Sequence, residues 1–64
     1  MSITLYQNND LLEIRDKGAL IGYVEHHVLY GLNARGYSER IDEIEHRSEI
    51  TNKLQMWRKE NFNV

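Results

Sequence analysis

"GALIGYVEHHVLYGL", residues Gly18–Leu32, is the most apolar stretch of the chain, and Glu25-His26-His27 interrupts it at its middle. Three readings compete for it: a membrane span, a site built on a histidine pair, or one side of a packed helical hairpin. A span needs about 20 mostly apolar residues. This stretch is shorter and carries a carboxylate and two imidazoles, so no membrane is expected. Neighbouring residues of a helix project about 100° apart, so His26 and His27 would not address one target. The helical hairpin is therefore the expectation.

Working outward, Ile14, Ile21, Val24, Val28 and Leu32 fall within about 100° of arc at helical periodicity, on a heptad seam that also takes in Leu11. Asp10-Leu11-Leu12-Glu13 has the spacing of a helix-start capping box, and Asn9 is an equally good cap. A first helix is predicted over 10–33. Asn33-Ala34-Arg35-Gly36-Tyr37 reads as a turn, with Gly36 suited to positive φ and the turn placed at 34–37. Ser38 then caps a second helix over 38–61, supported by the i,i+4 pairs Glu43–Arg47 and Glu49–Lys53. Residues 1–9 form a short head, in which Ser2-Ile3-Thr4-Leu5-Tyr6 alternates and is β-prone. The expected fold is all-α: an antiparallel two-helix hairpin that dimerises into a four-helix bundle. The alternative is a β-hairpin about Asp16-Lys17-Gly18, followed by helices. It gains weight from Gly18, Gly22 and Gly31, each of which costs a helix about 1 kcal/mol.

In the helical reading, Leu20, Tyr23, Val24 and His27 lie beside the first seam, and Ile50, Leu54 and Trp57 beside the second. Such uncovered apolar groups mark an interaction surface, and Trp and Tyr are frequent anchors there. These seven residues are the expected dimer interface, closed by a second copy of the chain. Help of that kind suits 64 residues without cysteine, because a domain this small is marginal alone and has no disulfide to support it.

Net charge is −2, with 28% charged and 41% apolar residues, a globular composition without the basic excess of a default nucleic-acid binder. The start MSITLYQNND lacks the basic and apolar regions of a secretory leader, and the absence of cysteine fits a reducing, cytoplasmic location. Glu43 and His46 have the Glu-x-x-His spacing of carboxylate-bridged metal bundles, and a dimer would supply the second copy by symmetry, but His46 follows Ile44 by two residues and should face solvent, so no metal or other cofactor is expected. No nucleophile–base pairing and no phosphate-binding glycine loop stands out, so no enzyme is expected. Lys53, Arg58 and Lys59 beside Trp57 form a candidate nucleic-acid patch. The acid-early, base-late arrangement of the second segment is also what a helix dipole favours.

In size and general character, the whole chain resembles the short accessory proteins of temperate bacteriophage early regions. That resemblance implies a regulatory, non-enzymatic protein-binding role on a larger host machine. The alternative is a small nucleic-acid-binding regulator that uses the second helix.

Overall fold

The computed structural model describes residues 2–62, and it is built from strands. β1 (Ile3–Asn8), β2 (Leu11–Asp16), β3 (Ala19–Glu25), β4 (Val28–Leu32) and β5 (Ser38–Glu43) precede a 3₁₀ turn at Arg47–Glu49 and the helix α1 (Ile50–Asn61). The strands form one antiparallel sheet in the order β1-β2-β3-β4-β5, so every strand pairs with its neighbour in sequence.

Turn chemistry explains where the chain reverses. Two-residue hairpin loops need positive φ to match the twist of the strands they join. Asn9 opens the first turn at φ 56°, and Lys17 and Gly18 form the second at 54° and 87°. His26 and His27 form the third at 51° and 64°. The longer β4–β5 loop is held by Asn33. Its side-chain oxygen accepts from the backbone N–H of Arg35 (2.9 Å) and of Tyr37 (3.0 Å), and Gly36 takes φ 86°.

The all-α hairpin and its four-helix bundle are thus overturned. Residues 10–33 hold three strands, residues 38–43 a fourth, and only Ile50–Asn61 of the second segment is α-helical. The alternating head is an edge strand. The hairpin turn weighed at residues 16–18 exists, but three further strand pairings surround it where helices were expected. The cause is that apolar residues lie on both faces of the sheet, which erases the alternation that marks a half-buried strand.

Two bulges complete the disguise. Ile14 pairs with Gly22 but Arg15 with Leu20, leaving Ile21 as the extra residue. Leu29 pairs with Asp42 but Tyr30 with Arg40, leaving Ile41 extra. Each bulge shifts the side-chain phase by one and brings an isoleucine to the core side. The core comprises Leu12, Ile14, Ile21, Leu29, Ile44, Ile50 and Leu54, with Ile3, Leu5, Val24, Ile41 and Trp57 packed against it.

Glycines let α1 approach the sheet. A Cβ on Gly22 would lie 2.7 Å from the Tyr30 carbonyl oxygen and 3.3 Å from Leu54, and one on Gly31 would enter the Trp57 ring. The two glycines pair across β3 and β4 and fix which side of the sheet carries the helix. No helix among the described residues is long and apolar enough to cross a membrane.

Candidate interaction face

The helix covers one side of the sheet, and the register specifies what occupies the other. Strand neighbours alternate between faces, whereas directly paired residues share one. Gly22 and Gly31 face α1, so Tyr23 and Tyr30 face away from it. Extending that pair across the sheet gives one transverse row: Tyr6 pairs with Glu13, Glu13 with Tyr23, Tyr23 with Tyr30, and Tyr30 with Arg40. All five strands contribute one residue. The Tyr23 and Tyr30 rings stack with centroids 5.0 Å apart, and Tyr6 is 52% exposed. A second row on the same side reads Asn8, Leu11, Glu25, Val28, Glu43. Leu20, 36% exposed, lies toward the other end of β3.

Charge on this face is mixed and partly self-compensated. Arg15, two residues along β2 from Glu13, donates to its carboxylate from Nε (3.0 Å) and Nη2 (2.8 Å). The Asn8 side-chain amide donates to the other oxygen at 3.2 Å. These hydrogen bonds, that from Arg15 first, hold the Glu13 carboxyl below its ordinary pKa. Glu13 is therefore a partnered anion in the middle of an aromatic row.

Comparison with known proteins finds no matching family model, no matching curated protein and no matching solved structure.

The residues predicted as one interface are divided among different environments. Ile50 and Leu54 are 2% and 1% exposed, inside the core. Val24 and Trp57 pack against that core. Leu20 and Tyr23 lie on the open face, and His27 is in the β3–β4 turn. Tyr6, Leu11, Glu13, Val28, Tyr30 and Arg40 were not among the predicted residues. They were recoverable only by counting register outward from the two-residue turns, which a helical assignment precludes.

The basic patch on α1 is likewise dispersed. Lys53 is paired with Asp42 (2.9 Å) and with Glu49 (3.0 Å), and Arg58 sits over the Phe62 ring at 4.9 Å. Of that predicted set, Lys59 is the exposed member. The predicted i,i+4 pair Glu49–Lys53 forms, whereas Glu43 lies in β5 and Arg47 in the 3₁₀ turn.

At the hairpin tips is a shallow concavity of about 560 Å³. Its floor is Leu12, Val24, Ile44 and Ile50, and its rim includes Asp10, His26, His27, Glu45 and Arg47. The rim carries both signs of charge, Asp10 and Glu45 with Arg47. Among the described residues, no three His, Asp or Glu side chains converge as a metal site.

Proposed function

We propose that this chain is a non-enzymatic protein-binding domain that works in the cytoplasm on a larger assembly, in the manner of a phage accessory protein, and that it binds through the open face of its sheet. What supports the reading is the Tyr6–Glu13–Tyr23–Tyr30–Arg40 row, with Leu11, Leu20 and Val28 beside it. A sheet that packs one face and wets the other carries polar residues outward. Here Tyr6, Tyr23, Tyr30, Leu11, Leu20 and Val28 share the outward positions with charged residues, and apolar patches rimmed by polar residues serve as interaction sites. Tyrosine and arginine are also the residues that dominate binding energy where interfaces have been dissected.

The test compares capture from the native cell by the wild type, by Tyr23→Glu and Tyr30→Glu, and by Met56→Glu as a control on the exposed side of α1. Bound protein should be retained by wild type and control, and lost by the two sheet variants with affinity reduced about 30-fold or more. Retention by the sheet variants with loss by Met56→Glu would move the function to the helix.

A further inference from the structure

We infer that the partner on the open face is a second copy of this chain, related to the first by a twofold axis running along β3. The inference rests on the protein-binding reading above and specifies its occupant.

β3 is the middle strand of five. Two sheets packed face to face lie about 10 Å apart with strands within about 30° of each other. A twofold along β3 lays β1 of one copy over β5 of the other, and β2 over β4. The transverse row then meets itself reversed. Tyr6 faces Arg40, Glu13 faces Tyr30, and Tyr23 faces its own equivalent. The row suits that reversal because it ends in an exposed ring on one side and a guanidinium on the other, a cation–π combination. The Tyr30 hydroxyl can donate to Glu13, which arrives already partnered by Arg15. In the second row Leu11 faces Val28 and Asn8 faces Glu43. On the axis, Leu20 meets Leu20. Each off-axis contact occurs twice, as a twofold interface requires.

Charge selects this axis over the perpendicular one. A twofold running along the row would set Arg40 on Arg40 and Glu13 on Glu13, like against like. Along β3 the one opposed like pair is Glu25 with Glu25, at the exposed strand end.

Size sets the strength. Five strands about 4.8 Å apart and about 20 Å long give on the order of 500 Å² of flat area. Stable interfaces bury about 800 Å² per partner, so the dimer belongs in the micromolar range. A second copy also adds burial to a chain whose core, among the described residues, has seven buried side chains, the deficiency that small domains meet by association.

Sedimentation equilibrium of the intact chain tests the inference, with circular dichroism reporting the fold of each variant. The wild type should pass from 7.6 kDa to twice that mass over micromolar concentrations. Tyr23→Glu should weaken the dimer about 30-fold or more. Arg40→Glu should weaken it about two- to fivefold, and Tyr6→Arg added to Arg40→Glu should restore it. Glu25→Gln should tighten it about threefold. If Tyr23→Glu does not fold, the exposed pair Arg40 and Tyr6 decides the matter.

A wild type that stays at 7.6 kDa at millimolar concentration overturns the second copy. If that monomer still loses a cellular partner on Tyr23→Glu, the protein-binding reading stands alone. A dimer indifferent to Arg40→Glu and Glu25→Gln overturns the axis. A monomer that shifts single-stranded oligonucleotide at low salt, and loses the shift on Tyr23→Glu, overturns both readings in favour of base stacking on the sheet.

Discussion

His26 and His27 both stand at positive φ, 51° and 64°, in the turn between β3 and β4. A left-handed residue other than glycine costs about 1–2 kcal/mol, with asparagine and aspartate the best tolerated. Type I′ turns therefore favour Asn-Gly. The double change His26→Asn with His27→Gly should raise stability by about 1 kcal/mol, seen as a rise in Tm of about 4–8 °C. An unchanged or lower Tm would mean that the imidazoles contribute to the fold in some other way. The same two residues show why the sequence misled. Lys17-Gly18 carries a recognisable turn signal and was weighed as one, whereas His26-His27 carries none. Without that reversal, GALIGYVEHHVLYGL runs on as one rod. Gly22 and Gly31 held a further clue, since glycine inside a strand marks close backbone approach. In a helical reading both count as costs, and Gly22 pairs with Gly18 as a place of close helix approach rather than with Gly31.

At the scale of elements, α1 is tied to β5 by one cation. Lys53 Nζ donates to Asp42 Oδ2 at 2.9 Å and to the Glu43 carbonyl at 3.2 Å, and lies 3.0 Å from Glu49 Oε1. The Lys53 hydrogen bond is the leading cause that lowers both the Asp42 and the Glu49 pKa from 3.8 and 4.5. In return, Asp42 first and then Glu49 raise that of Lys53 above 10.5. A carboxylate with a lowered folded pKa contributes stability above its ordinary value and loses it as pH falls through the lowered one. A raised lysine contributes below its ordinary value and loses that as pH climbs through the raised one. In urea titrations Lys53→Met should therefore make the fall in stability shallower as pH drops below 4.5. It should also remove the part of the alkaline loss above 10.5 that Lys53 causes. Curves parallel to wild type at both ends would show that the cluster is not formed in solution. The helical half of this junction was legible: Ile50–Asn61 lies inside the predicted second helix, and Glu49–Lys53 is one of its predicted pairs. The strand half was hidden, because Ser38–Glu43 is mostly charged and its Ile41 reaches the core only through a bulge, which periodicity does not anticipate.

For the whole molecule, every strand pairs with the strand next to it in sequence, so the sheet is assembled from short-range closures. Such topologies avoid the long loop closures that slow β-proteins. The chain also contains no proline, which removes the isomerisation that delays many refolding reactions. Stopped-flow refolding should be a single exponential complete within about a second. A slow component that grows with protein concentration would instead report association after folding. The pairing of Gly22 with Gly31 bears on the molecule as a whole. The slab owes its thinness to missing methyl groups: one restored at Gly31 would act as a wedge, prising the helical lid away and admitting solvent to the aliphatic layer beneath, and one at Gly22 would press first on the backbone of the adjoining strand.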